Sequence, residues 1–171
     1  MCGIAGIAGP NAARHEGALR KMLSCLQHRG PDGQGIYISP KGNCALGHRR
    51  LSIIDLSDLS AQPFLIEGAG ALSYNGECYN FQELRSELIA TGHSFVSSGD
   101  TEVVLQVLLS EATPGLQRLN AMFALAFWDE RRQKLLLARD FYGQKPLYYA
   151  QIEDCIIFAS EVRALIGSGL V

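Results

Sequence analysis

The second residue of the chain is a cysteine, set in MCGIAGI (1–7), an apolar, glycine-rich stretch without charge. Two readings compete. Cys2 is a small buried residue of a first strand, or it is a nucleophile that carries its own base once Met1 is removed. A free α-amine titrates at about 7.7–8.0, so it can take the thiol proton near neutrality. That arrangement is established for N-terminal nucleophiles.

Further along, SYNGECYN (73–80) holds Asn75-Gly76 between apolar residues. The pair predicts a tight hairpin turn. It also offers a side-chain amide and a backbone N–H that can converge on the oxyanion of a tetrahedral intermediate. HRRLSII (48–54) places two arginines before a strand-like run. They form either a solvated basic edge or a guanidinium that binds a carboxylate in bidentate fashion. SSGDTEV (97–103) puts Asp100 just before a helical pattern. It is an N-cap there, or a carboxylate that accepts from an ammonium group. Arg50 and Asp100 together suit a free amino acid, which carries both charges.

The bulk properties narrow the class. With 171 residues, 47% hydrophobic and 19% charged, the chain is one ordinary globular domain. A net charge of −2 gives no reason to expect nucleic acid. No apolar run reaches the roughly 20 residues of a membrane span, and the N-terminus lacks the basic segment of a signal peptide. The five cysteines are Cys2, Cys25, Cys44, Cys78 and Cys155. Their odd number and irregular spacing argue against a disulfide framework or structural zinc and favour a reducing cytosol. The four histidines share no metal-binding spacing, and there is no GxGxxG or P-loop.

The elements that must position these residues follow from periodicity. Strands are predicted at 4–7, 35–38, 44–54, 71–75, 122–129, 134–140, 146–150 and 155–160, with a polar loop around AQPF (61–64). Helices are predicted near 15–27, over 80–92, after Asp100 and in EVRALIGSG. The runs MFALAFWD and KLLLARD are apolar on both faces, which predicts a covered sheet. Two packed sheets with helices outside satisfy the pattern.

Taken together, MCGIAGI, HRGPDG, HRRLSIID, QPF, YNGECYNFQELR, SGDTEV, RDFYGQKPLYY and FASEVRAL occur in this order over almost the whole chain. The set resembles the glutaminase domain of class II glutamine amidotransferases, which are N-terminal-nucleophile hydrolases. It is most similar to the asparagine synthetase branch. The resemblance implies an α+β fold, a four-layer αββα sandwich of two antiparallel sheets. It implies glutamine hydrolysis, with ammonia passed to a synthetase domain or partner chain. By the same resemblance Cys2 is the nucleophile, and Asn75 and Gly76 form the oxyanion hole. Arg50 holds the glutamine carboxylate, and Asp100 and Glu77 hold its amino end. Leu51 and Ile53 line the site, and Arg29 and Gly30 support the nucleophile.

Cys78 departs from the family pattern, where an aliphatic residue is usual, and Phe141-Tyr142 replaces an arginine-containing pair. The ATP-dependent synthetase domain and its SGGxDS loop are absent from residues 1–171. No metal or organic cofactor is expected for the glutaminase half, Mg-ATP belonging to the absent one. The expected setting is cytoplasmic, with neither nucleic acid nor membrane as partner, and a homodimer is left open. The competing reading is a catalytically silent regulatory or docking domain on the same fold. A third is an N-terminal-nucleophile hydrolase of another amide.

Overall fold

The computed structural model describes residues 1–51 and 61–171. Its strands are β1 (Gly3–Ala8), β2 (Gly33–Ile38), β3 (Cys44–Arg50), β4 (Phe64–Ile66), β5 (Gly70–Cys78), β6 (Ala121–Asp129), β7 (Lys134–Arg139), β8 (Tyr148–Ile152) and β9 (Cys155–Ala159). The helices are α1 (Glu16–Cys25), α2 (Phe81–Ala90), α3 (Asp100–Glu111) and α4 (Val162–Gly167). The strands form two sheets, β2-β3-β1-β9-β8 and β4-β5-β6-β7. Every adjacent pair is antiparallel.

Three apolar clusters fix the layer order. In α1, Leu19, Met22 and Leu23, with the C-cap residue Leu26, recur at helical spacing and are fully buried against Ala5, Ile7, Ala45, Ile157 and the α4 residues Ala164 and Leu165. Each such side chain contributes about 1.5–3 kcal/mol when removed from water. On the other side, α2 and α3 lay Leu84, Leu88, Val104 and Leu108 onto Leu72, Tyr74, Leu125 and Phe127 of β5 and β6. Between the sheets lie Ala8, Leu46, Ala71, Ala126, Trp128 and Phe158. The result is the αββα sandwich. Trp128 and Phe127 alternate between the inner and outer faces of β6, which is why that strand reads as continuously apolar.

Several boundaries differ from expectation. Asn75-Gly76 is not a turn: β5 runs straight through it, with Asn75 opposite Ala124 and Gly76 opposite Phe123. The apolar residues of β6 supply a full-length partner that overrides the local hairpin preference. Asp100 is not the N-cap of α3. Gly99 takes that position in an extended conformation, and Asp100 is the first helical residue. Residues 61–63 of AQPF are irregular, as expected, and Phe64 opens a short strand, β4, that was not predicted. β8 starts two residues after Pro146, at Tyr148. β7 is an edge strand, half-buried rather than covered on both faces. The expected strand at 44–54 ends at Arg50, and positions 52–54 lie outside the described residues.

The turn after β7 is built on one carboxylate. Asp140 is buried and accepts from the backbone N–H groups of Phe123, Tyr142, Gln144 and Lys145 at 3.0–3.2 Å. Burial alone would raise its pKa, but these donors outweigh it and hold the carboxyl below its ordinary range. Asp140→Ala is expected to cost on the order of 1–2 kcal/mol in urea denaturation at neutral pH. Because the folded pKa is the lower one, this contribution is present above the unfolded carboxylate value of about 4. It is lost as pH falls through the folded value. The gap between variant and wild type should therefore close on acidification.

Candidate active site

Side-chain alternation brings the sequence-predicted residues to one end of the inter-sheet space. In β3, Cys44 and Leu46 face the second sheet, and His48 and Arg50 share their parity. In β5, Ala71 faces inward, and so do Ser73 and Asn75, two and four residues on. Two polar contacts join the sheets here. Ser73 Oγ donates to Gly47 O at 2.9 Å, and His48 Nε2 donates to Tyr74 O at 3.1 Å.

Cys2 lies one residue before β1, beside the end of β3. Leu51 N–H points at its Sγ at 3.4 Å, and Sγ lies 3.8 Å from Leu51 O. Leu51 thus contacts the thiol through its backbone. Arg29 is buried and donates from Nε to Cys2 O at 3.0 Å and from Nη1 to Glu161 at 3.0 Å. Its role is to fix the backbone that carries the thiol. Gly30 packs on the Arg49–Arg50 peptide, where an added Cβ would sit 2.4 Å from Arg49 C and 2.5 Å from Arg50 N. Only glycine fits there, so Gly30 sets how closely the 28–33 loop approaches the arginines. Met1 is 56% exposed, accessible to a processing peptidase.

The outer edge of β5 carries the most informative geometry. β4 ends at its Phe64–Leu72 pair, so β5 loses its strand partner beyond Leu72. Tyr74 N–H, which β4 would have bound, donates instead to Gln62 Oε1 at 2.7 Å. Cys78 N–H donates to Asp100 Oδ2 at 2.8 Å. Gly76 N–H has the same parity and faces the same edge between these two, with no partner among the described residues. A Cβ on Gly76 would lie 2.5 Å from Met122 O and 2.7 Å from the Tyr74 ring. Beside it, Asn75 is only 2% exposed, and its Nδ2 has no hydrogen-bond partner among the described residues. An unmade hydrogen bond from a buried amide costs free energy. Two donors in sequence, one an orphan amide and one an unpaired edge N–H, are a ready cradle for a developing negative charge.

The electrostatics separate anionic from neutral groups. Burial raises the Asp100 pKa, as does the neighbouring Glu77 carboxylate, against the lowering effect of Cys78 N–H. His48 is fully buried, and burial, aided by the Arg50 charge, lowers its pKa to about 4 in spite of its bond to Tyr74 O. It is therefore neutral at pH 7. Burial lifts the Cys78 thiol to about 11, with Asp100 adding to the effect, so this second cysteine is an inert thiol. Ile53 lies outside the described residues.

The motif reading assigned no role to His48, Gln62, Ser160 or Glu161. Ser160 Oγ accepts from Ile4 N–H at 2.9 Å, and Glu161 anchors Arg29. QPF and FASEVRAL held the signal, but a polar residue in an apolar motif does not reveal its partner in sequence. A cavity of about 990 Å³, lined by Ala8, Asn43, Trp128, Lys134, Leu137 and others, opens at the far end of β1 from Cys2. Among the described residues no three His, Cys, Asp or Glu side chains cluster in a way that could hold a metal ion. No helix there is long and apolar enough to cross a membrane.

The chain is 37% identical over 170 residues to an asparagine synthetase (glutamine-hydrolysing) of Bacillus subtilis, covering 96% of this chain and 22% of that protein. It is 38% identical over 153 residues to the amidase chry2 of Gibberella zeae, covering 89% of this chain and 23% of that protein. The chain thus spans under a quarter of the length of these two relatives. Among solved structures, the glutamine phosphoribosylpyrophosphate amidotransferase of B. subtilis superposes with a TM-score of 0.81 at 26% identity, over 98% of this chain and 44% of that one. The family model for the glutamine amidotransferase domain matches residues 1–171, and the chain belongs to that family.

Proposed function

We propose that this domain hydrolyses glutamine to glutamate and ammonia through a thioester on Cys2, and that the ammonia serves an amidating module of asparagine-synthetase type. The observation that carries the reading is a pair of neighbouring donors at the Cys2 end of the inter-sheet space: Asn75 Nδ2, without a partner among the described residues, and Gly76 N–H, on the β5 edge that β4 leaves uncovered. Arg50 on the opposite strand and Asp100 with Glu77 beside the β5 edge supply the charges for the two ends of a free amino acid.

In the proposed sequence, the α-amine of processed Cys2 takes the thiol proton. The thiolate adds to the γ-amide carbon, and the oxygen takes up negative charge against Asn75 and Gly76. The α-ammonium then protonates the leaving nitrogen, the carbon–nitrogen bond breaks and ammonia departs. Water, deprotonated by the same amine, adds to the thioester, and the carbon–sulfur bond breaks to release glutamate. None of these steps uses a metal or nucleotide. Mg-ATP would serve the amidating module, and a cytoplasmic setting would suit a free thiolate.

The test is the intact mass of the purified chain before and after a glutamine-like diazoketone. The expected result is loss of Met1 and a single adduct on Cys2, blocked by excess glutamine. Retained Met1 with no adduct would favour a silent docking domain of the same fold.

A further inference from the structure

The short β4 leaves β5 with an unpaired edge at the residue just before Asn75. Tyr74 N–H and C=O both bond to side chains rather than to Leu125, its partner on β6, which makes Tyr74–Leu125 a non-hydrogen-bonded pair of the ladder. Two side chains take over from the missing strand. Gln62 Oε1 accepts from Tyr74 N–H at 2.7 Å, and His48 Nε2 donates to Tyr74 O at 3.1 Å. The two come from different parts of the fold: Gln62 precedes β4, and His48 sits in β3 of the opposite sheet. Gln62 Nε2 also reaches Thr101 Oγ1 at 3.5 Å, next to Asp100.

We infer that His48 and Gln62 are positioning residues: their side chains replace the β4 backbone at Tyr74, hold the two peptides that flank Tyr74 in place, and so aim Asn75 Nδ2 and Gly76 N–H at one point. The fold gains something that a continued β4 could not give. A full strand would pair with the β5 edge as far as Gly76 and consume its N–H. Side chains satisfy Tyr74 and stop there, so Gly76 N–H stays available. His48 is well suited to this. It lies in the inter-sheet layer at 0% exposure, where a backbone carbonyl without a donor would be costly. Its ring is rigid, and its second nitrogen, Nδ1, makes no hydrogen bond among the described residues. The inference rests on the proposed glutamine chemistry for its kinetic readout, but not for its structural one.

The experiment compares the wild-type chain with His48→Leu, His48→Gln and Gln62→Leu. Steady-state glutamine hydrolysis gives kcat and KM. The side-chain amide resonance of Asn75, assigned by its loss in Asn75→Asp, gives the amide's surroundings without reference to activity. In His48→Leu, kcat should fall about tenfold to a hundredfold, because misplacement of a catalytic donor by an ångström has effects of that size. KM should stay within about twofold, since uniform binding is untouched. The Asn75 amide resonance should move. His48→Gln keeps a donor near Nε2 and should restore most of kcat and the resonance. If His48→Leu does not fold, Gln62→Leu carries the same expectation from the preceding peptide, on the other side of the Tyr74 Cα. An unmoved Asn75 resonance, or unchanged kcat, in a folded variant lacking either partner would overturn the inference. A wild-type chain without glutaminase activity would instead sink the functional reading, with the resonance still deciding the role of His48 and Gln62.

Discussion

Cys2→Ala should reduce glutamine hydrolysis to background, a loss of about 10⁴-fold or more in kcat, as expected when the only covalent nucleophile is removed. The fold should be unaffected. Cys2 lies outside β1, and among the described residues its thiol makes its hydrogen-bond contacts with the Leu51 backbone, while Arg29 binds the Cys2 carbonyl, which alanine retains. A companion variant separates thiol from amine. Inserting one alanine between Met1 and Cys2 keeps the sulfur but turns its nitrogen into an amide, which cannot accept a proton. Turnover should fall as far as in Cys2→Ala, although a thiol reagent would still count five cysteines in the denatured chain. Full activity in the insertion variant would show that another group is the base, and no histidine is placed for it. His48 is spent on Tyr74, and His28 is held in the Glu161–Arg163 ion cluster.

Much of this architecture was legible in the sequence because its helices are amphipathic and its inner strands apolar on both faces. The spacing of Leu19, Met22, Leu23 and Leu26 alone defines the buried stripe of α1. What misled was local chemistry that tertiary pairing overrides. Asn-Gly is a strong turn signal only while no strand lies alongside it. β6 offers a partner from Ala121 to Asp129, and the turn preference of about a kilocalorie per mole yields to a full ladder. The same limit hid β4, whose three residues are too few to show alternation. At the site, the residue types that bear charge or a reactive thiol could be named from motifs. His48 and Gln62 could not, since their importance lies in where β4 stops, which is a property of the sheet. Asp100 shows the intermediate case. Its position at a helix start was plain, but its carboxylate also reaches Cys78 N–H of β5, a contact across the fold that the sequence does not show.

Asn75→Ala should lower kcat by about 10²–10³-fold, the typical effect of losing one oxyanion donor, with KM for glutamine little changed. The reason lies in timing. In the resting fold Asn75 Nδ2 bonds to nothing among the described residues, although Asn75 is only 2% exposed. Its hydrogen bond would form as the oxyanion forms, so the energy appears in the transition state rather than in binding. This sets up an unusual stability signature. Truncating a satisfied buried amide normally costs stability, but here the variant removes a donor that was already unpaired. The relief of that penalty offsets the small void left behind, so the unfolding free energy should stay within about 1 kcal/mol of wild type. Asn75→Asp sharpens the contrast, because a carboxylate would repel the developing charge and should be no more active than alanine. Steady-state kinetics and thermal unfolding on the same preparations decide the matter. A destabilised but catalytically normal Asn75→Ala would make Asn75 a structural residue and leave the oxyanion to Gly76 alone. A stable and crippled variant is the expected result, because an unsatisfied amide persists in a packed interior when its partner arrives only with the reaction.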